Sequence, residues 1–537
     1  MRLIYASILV SMLAACGGGG GGGGGGSSSG SDGGAGSAPQ PAAPVPTPQA
    51  GLVFDPATVN VTVTEGEDPK IEVNVRAEKT FEGVVNVAIV DSQGIFAAAP
   101  EVRAWSPTYY TAYLRLARGL KPGVYSGALT VKLCKDAAAV CAAPHAGSPW
   151  SLPFRIEVKA FGSSLTTLKA DPGAADWLMG GGSKEHRNYV NTTVEPARIA
   201  ARFNWSAPGA DRLSRPVVQA GVAYVATPTT VYAIDEQTGT LRWQHQPQAA
   251  PYRSELTQPA VLGSRLYVGV AGGDYSYLDT IDSASGAALA RQPINQPSVS
   301  SAPTVDAGLA VVKLDGGSFQ AVGASNFAMR MPSHSAWPVD TPPVVAGNAI
   351  YGYSRGLLYV FDRATGAQLR TISSTSSPYG PDNGRDMMLL DERHLGIIEN
   401  DGYGDAKVAT LTVFDIGNGT VAWSKKGGVQ TMAAAGTTLY AAVNGQVIAF
   451  DAANGAQKWT WDVPASLRNT DGSSPVYSVL ATNNVLFVSF ADAVHAIDLS
   501  TQRSVWTAQV GGHLALSKNG VLYLSKQGAP LRAFNVR

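Results

Sequence analysis

A short pattern that recurs along the C-terminal two thirds of the chain constrains the fold more than any other feature. Its clearest copy runs from Val231 to Trp243, where two runs of alternating apolar residues flank a turn. Asp235 and Gly239 suit that turn, because an aspartate side chain hydrogen-bonds the backbone ahead of it and glycine tolerates a positive φ. The segment is therefore predicted to be a β-hairpin.

The pattern occurs eight times when the copies are aligned on the aspartate position, at intervals of 36 to 53 residues. A period near 40 built from several short strands predicts an all-β fold, a β-propeller in which each copy forms one four-stranded blade. Eight blades are expected, and seven remain an alternative because the third copy is weak. The aligned residues are Asp235, Asp282, Gly323, Asp362, Asp415, Asp451, Asp498 and Asn535.

The consensus of these copies, A-[IFV]-D-x-x-[TN]-G-x-x-x-W, resembles the PQQ-type repeat of the quinoprotein alcohol dehydrogenase-like propellers. The resemblance covers about residues 176–537 and is most specific in the four copies that end in tryptophan. In that family the tryptophan docks one blade on the next, and an indole buries roughly 150–250 Å² in such a contact. The blade-docking residues implied here are Trp243, Trp423, Trp459 and Trp506.

The last copy lacks an outer strand of its own, because the sequence continues only to Arg537 after Asn535. Residues 198–205, which precede the first full copy, have the composition of a strand and end in Trp205. We expect this segment to complete the eighth blade, so that the propeller closes and leaves no open edge between its ends. Trp205 then becomes a fifth blade-docking residue.

Residues 1–15 have the composition of a secretory signal segment, with Arg2 followed by an apolar run too short to span a membrane. Residues 13–16, Leu-Ala-Ala-Cys, resemble the bacterial lipobox. By that resemblance Cys16 is the first residue of a mature lipoprotein and carries several acyl chains, such as palmitate, which anchor stably where one would not. The expected location is the outer membrane, on its periplasmic face or at the cell surface.

Residues 16–50 are predicted to be a disordered tether. Ten consecutive glycines at positions 17–26 lead into sequence rich in Ser and Pro, which has too few apolar residues to bury a core. Such a segment reaches very roughly 30–50 Å. We expect it to hold the folded body away from the membrane.

Residues 51–160 contain six runs of alternating apolar residues, which predict a small immunoglobulin-like β-sandwich. Cys134 and Cys141 lie there and are expected to form a disulfide in an oxidising compartment. Residues 161–197 are predicted to be a linker and an approach to the propeller proper at 198–537. Trp177, a glycine-rich turn and His186 resemble the lead-in of many PQQ-type propellers, which implies that this segment covers the central opening.

No catalytic residue, cofactor or metal is predicted. Dehydrogenases of this family hold the quinone beside a disulfide of adjacent cysteines, together with calcium or a lanthanide, whereas Cys16, Cys134 and Cys141 all lie outside the predicted propeller. Residues 352–356 match G-x-S-x-G, but predicted strands flank them on both sides, and a nucleophile elbow needs a helix after it. Acidic and amide residues at 381–386 and 399–405 suit calcium, although surface turns explain them as well.

The charge is balanced, with 40 basic and 40 acidic side chains, so no basic surface for nucleic acid is predicted. The plan is similar to that of the lipoprotein propeller of the outer-membrane barrel-assembly (Bam-complex) machinery, which is non-enzymatic and binds partner proteins. That resemblance implies a non-catalytic, lipid-anchored scaffold for envelope proteins. Two alternatives remain: a surface-exposed binder of glycan or another ligand, with the sandwich as the presenting module, and an enzyme such as a PQQ-dependent dehydrogenase.

Overall fold

The computed structural model is built of β-strands, with one turn of 3₁₀ helix at Pro196–Arg198, in the residues that it describes. The chain divides into two compact units, residues 1–159 and 160–537. No helix in the described ranges is long and apolar enough to cross a bilayer. Those ranges are 2–7, 51–65, 71–98, 100–117, 119–160, 165–208, 212–248, 254–272, 276–294, 299, 301–314, 318–323, 327–329, 342–354, 356–374, 383–400, 409–464, 467–468 and 476–537.

The first unit contains two sheets whose neighbouring strands are antiparallel, except for one parallel pair, β3 with β9. The five-stranded sheet has the spatial order β1 (Arg2–Ser7), β5 (Asn86–Asp91), β8 (Gly123–Cys134), β9 (Trp150–Lys159) and β3 (Val59–Thr64). The four-stranded sheet has the order β2 (Leu52–Asp55), β4 (Ile71–Ala77), β7 (Tyr109–Leu114) and β6 (Glu101–Ser106).

Alternation of apolar and polar residues gives these strands a buried face and an exposed face. In β4, Ile71 and Val73 are buried while Glu72 between them is exposed. Val73 and Leu129, which come from different sheets, belong to one apolar core. The six predicted runs all fall in strands, but β2 and β6 were missed because their burial alternates weakly. The immunoglobulin type of this unit stays a prediction.

Two further predicted features of the N-terminal region bear on this unit. Cys134 and Cys141 are joined by a disulfide. Strand β1 lies inside the expected signal segment, 1–15, and pairs with β5, so cleavage before Cys16 would remove it. Cys16 and the tether at 16–50 lie outside the described residues, and lipidation therefore stays a prediction.

The described residues of the second unit form eight antiparallel sheets, each of which ends its third strand on one of the aligned repeat positions. We number these sheets blades 1 to 8. Blade 1 consists of β11 (Val217–Gln219), β12 (Val222–Ala226), β13 (Val231–Asp235) and β14 (Leu241–His245), and blade 2 consists of β16 (Ala260–Leu262), β17 (Arg265–Gly272), β18 (Ser276–Asp282) and β19 (Ala288–Ile294), with β15 (Ser254–Leu256) also paired to β17. Blade 3 consists of β20 (Thr304–Asp306), β21 (Leu309–Lys313), β22 (Phe319–Gly323) and β23 (Phe327–Met329), and blade 4 consists of β24 (Val344–Ala346), β25 (Ala349–Ser354), β26 (Leu357–Asp362) and β27 (Gln368–Ser373).

Blades 5 to 8 follow the same order from the inside of the ring outwards. Blade 5 consists of β28 (Asn383–Leu389), β29 (His394–Asn400), β30 (Thr410–Asp415) and β31 (Thr420–Lys425), and blade 6 consists of β32 (Val429–Ala435), β33 (Thr438–Val443), β34 (Gln446–Asp451) and β35 (Gln457–Asp462). Blade 7 consists of β36 (Ser478–Ala481), β37 (Val485–Ser489), β38 (Val494–Asp498) and β39 (Arg503–Ala508), and blade 8 consists of β40 (His513–Leu516), β41 (Val521–Ser525), β42 (Leu531–Asn535) and β10 (Ala200–Trp205). The first strand of each blade contacts that of the next, and β40 contacts β11, so these strands surround a central channel.

The predicted hairpin turns connect the third strand of a blade to the fourth and set the point at which the two strands begin to pair. Asp235 Oδ1 accepts hydrogen bonds from the backbone N and the hydroxyl of Thr238, at 2.8 and 2.9 Å. Gly239, with φ of +73°, donates its N–H to Asp235 O at 2.8 Å. Bonding to Arg393 and to the turn lowers the pKa of Asp415, the equivalent residue of blade 5, to about 2.

Closure occurs through the segment that the sequence indicated. Strand β10 pairs antiparallel with β42, from Ala200 opposite Asn535 to Trp205 opposite Leu531. Arg202 is fully buried beside this pairing. Its guanidinium donates to the carbonyls of Glu236 and Gln237 in blade 1, to Thr166 O, and to Asn535 Oδ1 in blade 8. A single side chain thus joins the last blade to the first.

The tryptophans lie between blades. Trp243 Nε1 donates to Ser283 O of blade 2 at 3.2 Å, and Trp423 Nε1 donates to Ala452 O of blade 6 at 2.9 Å. The ring of Trp205 lies 5.0 Å from that of Tyr232 in blade 1, and the ring of Trp506 lies 5.5 Å from that of Phe534 in blade 8. Trp459 packs in the core that is shared by blades 6 and 7.

Replacing Arg202 with Leu is expected to lower the free energy of unfolding by about 3 kcal/mol or more, because the four hydrogen bonds of its buried guanidinium are lost. The measurement is urea denaturation followed by tryptophan fluorescence. Arg242→Ala is the control: Arg242 pairs with Asp235 at 2.7 Å but is 45% exposed, so its loss should cost at most about 1 kcal/mol. Equal losses for the two variants would contradict a special role for Arg202 in closure.

Gly455→Ala tests the contact between blades 5 and 6. A Cβ at Gly455 would lie 2.6 Å from Trp423 Cδ2, and the residue has φ of +73°, so overlap adds to backbone strain. Gly436 of blade 6 has φ of +56° and nothing within 4 Å of the added carbon. Gly436→Ala should therefore cost about 1–2 kcal/mol and Gly455→Ala about 2–4 kcal/mol in the same denaturation assay. A Gly455 variant no less stable than its control would rule out the close contact.

Candidate binding cavity

Residues 171–190 lie inside the ring and hydrogen-bond every blade. This segment, which we call the plug, accepts hydrogen bonds from backbone N–H groups of the inner strands of six blades. From blade 1 to blade 8 the bonds are Val218 N to Trp177 O, Val261 N to Leu178 O, His186 Nε2 with Thr304 Oγ1, Val345 N to Lys184 O, Leu389 N to Glu185 O, Ala434 N to Arg187 O, Ala481 N to Asn188 O, and Asp171 N to Lys518 O.

The plug is tightly folded around glycine and left-handed residues. His186 and Asn188 have φ of 59° and 50°, which costs free energy for residues other than glycine. Gly181, with φ of +73°, lies so near the next turn that an added Cβ would be 2.5 Å from His186 Cα. The bonds to the blades hold this conformation, so the plug forms a rigid floor.

A cavity of about 440 Å³ lies on this floor. Gly180, Gly181, His186 and Asn188 form its base, and many of the wall residues lie in the inner strands or just before them. Because the plug crosses the channel, the cavity is a cup that is closed at one end. Its volume falls in the range of about 300–1,000 Å³ that is typical of small-molecule sites.

Six of the wall residues occupy equivalent positions in their blades. The position is defined from the pairing of the first two strands of a blade. The third residue of the second strand pairs with a residue of the first strand, and the equivalent position lies two residues before that partner. Four of the eight sequence-equivalent residues are ionisable or amide side chains, on blades 1, 2, 5 and 8. In blade order the eight are Arg215, Gln258, Ala302, Pro342, Asp386, Thr431, Ser478 and His513, of which all but Thr431 and Ser478 line the cavity.

His186 is a structural residue of the floor. Thr304 donates its hydroxyl hydrogen to Pro343 O at 2.7 Å, so its oxygen accepts a bond from His186 Nε2–H at 3.1 Å. Burial lowers the pKa of His186 to about 4, and the ring is therefore neutral at pH 7. Burial and the nearby charge of Arg215 also lower the pKa of His513, to about 3.

The sequence-predicted site residues are not brought together in the cavity. The five tryptophans lie between blades, and the disulfide of Cys134 and Cys141 lies in the first unit. Sequence reasoning missed Arg215, Gln258 and His513. A signal was present in two of these copies, because Arg215 and Gln258 each stand between a hydroxyl residue and a proline, as Ser-Arg-Pro and Thr-Gln-Pro.

Two other sequence features have a structural explanation. Ser354 ends β25, and β26 begins at Leu357, so the G-x-S-x-G match is a β-hairpin and not the strand-to-helix turn of a nucleophile elbow. Glu399, from the second acidic segment, is fully buried and accepts hydrogen bonds from Tyr353 and Thr412. Most of the acidic stretch at 399–405 lies outside the described residues.

The pH dependence of stability tests the environment of His186. Its pKa is lowered on folding, so its contribution is complete above the unfolded value of about 6.5 and is lost as the pH falls towards 4. Between pH 7 and pH 5 this residue alone should reduce the free energy of unfolding by about 2 kcal/mol. His186→Gln should flatten the slope by that amount in denaturant titrations at the two pH values. An unchanged slope would show that His186 is not buried as a neutral ring.

The family model for outer membrane protein assembly factor BamB matches residues 197–372 and 382–533. No curated protein matches the chain. Among solved structures, quinohemoprotein alcohol dehydrogenase ADHIIG from Pseudomonas putida HK5 has 14% identity and a TM-score of 0.52, covering 68% of this chain and 80% of its own. BamB from Moraxella catarrhalis has 15% identity and a TM-score of 0.47, covering 63% and 99%.

The likeness to the dehydrogenase shows the fold alone, and the residues present do not fit its cofactor. The described lining of the cavity includes neither a cysteine nor a tryptophan, and residues 160–537 contain no cysteine at all. By contrast, the family model matches more than half of the chain, including the closing strand β10 and every blade. The chain therefore belongs to the outer membrane protein assembly factor BamB family of PQQ-repeat β-propellers.

Proposed function

We propose that this protein is a non-catalytic scaffold of the cell envelope that binds other proteins, and that its partners take part in assembling outer-membrane proteins. The observation that carries the proposal is the match of the BamB family model to the whole ring of blades. The proposal assigns no reaction to the cavity. It places the protein at the outer membrane, held by acyl chains on Cys16 and spaced from the bilayer by residues 16–50.

The ring offers a suitable surface for such partners. Among the described residues, every blade ends in an outer strand that pairs with another strand along one edge only, and the backbone N–H and C=O groups of the other edge are able to take up an extended segment of another protein. Some of these strands also expose apolar side chains, which favour protein contacts over hydration. They are Leu241, Leu289, Leu369 and Val505, on blades 1, 2, 4 and 7.

Closure supports the same role. Binding to a pre-organised surface avoids the entropy cost of ordering that surface. The β10–β42 pairing and the plug hold all eight blades in fixed positions. The outer strands are therefore presented as a rigid rim.

Affinity purification tests the proposal. A tag is placed within the tether, at residues 30–38, because Arg537 contacts Asp171 and a C-terminal tag would disturb that ion pair. Membranes are solubilised in mild detergent, and co-purifying proteins are identified by mass spectrometry. We expect outer-membrane assembly proteins to be recovered with the full-length chain.

The Cys16→Ala variant provides the control for anchoring. It should leave the membrane fraction while the folded body stays intact, because Cys16 begins the segment that is predicted to be a disordered tether. A variant that remains in the membranes would contradict the anchor. Recovery of the intact lipidated protein without any outer-membrane assembly protein would contradict the scaffold role.

A further inference from the structure

We propose that the cup in the centre of the propeller is a binding site for a small carboxylate with an apolar body, whose carboxylate is held by Arg215, Gln258 and His513. This inference goes beyond the scaffold role and does not depend on it. The proposal rests on the polar side chains that line the cup on three adjacent blades, 8, 1 and 2.

Three hydrogen-bonding groups on these blades have no protein partner in the part of the chain that the structure describes. Gln258 Nε2 and His513 Nδ1 are buried and unbonded among the described residues. The guanidinium of Arg215 forms no ion pair there, whereas its neighbour Arg212 pairs with Glu255 at 3.6 Å. A buried donor without a partner costs free energy, so a ligand with acceptor oxygens is favoured at this wall.

The unpaired groups suit a carboxylate in particular. Gln258 presents an amide N–H, Arg215 presents a charged fork of N–H donors, and the neutral ring of His513 donates from Nδ1 in one of its tautomers. Because they stand at equivalent positions of consecutive blades, they face the channel from one side. Two oxygens of one planar group are sufficient to accept all three kinds of bond.

The remaining wall directs the ligand's orientation. The equivalent positions in blades 3 and 4 are Ala302 and Pro342, which offer contact but no hydrogen-bond donor. Blade 5, which stands opposite blade 1 in a ring of eight, presents Asp386. A negative group is repelled from that side, so the carboxylate turns towards Arg215 and the apolar body towards Ala302 and Pro342.

The floor sets the size of the ligand. Because the plug hydrogen-bonds all eight blades, seven of them at the inner strand, a polymer cannot pass through the channel. The volume of about 440 Å³ admits a small molecule. The occupant is thus a compact organic acid and not a chain threaded through the ring.

Isothermal titration calorimetry on the full-length protein tests the proposal with two probes of similar shape, benzoate and benzyl alcohol. Benzoate should bind at least about tenfold more tightly, because only its carboxylate satisfies the three groups. Arg215→Ala should remove that preference, and Gln258→Ala should reduce it. Each variant is first compared with the parent by circular dichroism and thermal unfolding to establish that it is folded.

Arg503→Ala is the matched control. Arg503 is an exposed arginine on the outer strand of blade 7, far from the channel, and its loss should leave the preference for benzoate unchanged. The proposal is overturned if neither probe binds, if both bind equally, or if Arg215→Ala retains the preference. It is also overturned if Arg503→Ala abolishes it, since the effect would then reflect net charge.

Discussion

The pairing of β10 with β42 is the interaction on which the propeller depends. It joins Ala200 to Asn535, at opposite ends of the propeller sequence, and thereby gives blade 8 its fourth strand. A blade in such a ring is stabilised mainly by its two neighbours, so an open ring would leave two apolar faces in water. The buried guanidinium of Arg202 makes this one junction specific, because it bonds to groups of both blades.

A second network reinforces the same junction from the side of blade 1. Glu236 is fully buried and accepts hydrogen bonds from Asn519 and from Tyr523 of blade 8. Burial raises the pKa of Glu236 and also raises that of Tyr523. Buried polar groups of this kind are costly unless satisfied, and they favour one arrangement of neighbours over others. The junction between blades 8 and 1 thus combines the β10–β42 strand pairing with buried polar contacts between the two blades.

The plug changes what the ring is able to do. Eight blades alone surround a through-channel, whereas residues 171–190 close one end and convert the channel into a cup. The outer rim and the inner cup are separate surfaces of one rigid body. A scaffold for proteins and a site for a small acid are therefore compatible in a single molecule, since neither uses the residues of the other.

Local sequence determined the hairpins, the repeat positions and the closing strand, because alternation, Asp–Gly turns and a strand-like segment ending in Trp205 are properties of neighbouring residues. It also indicated the plug, through Trp177 and His186. The family match agrees with the propeller, and the additional strands β2 and β6 were missed because their alternation is weak. The wall of the cup was decided only by tertiary structure. Arg215, Gln258 and His513 are separated along the chain by 43 residues or more, and only the closed ring places blades 8, 1 and 2 side by side.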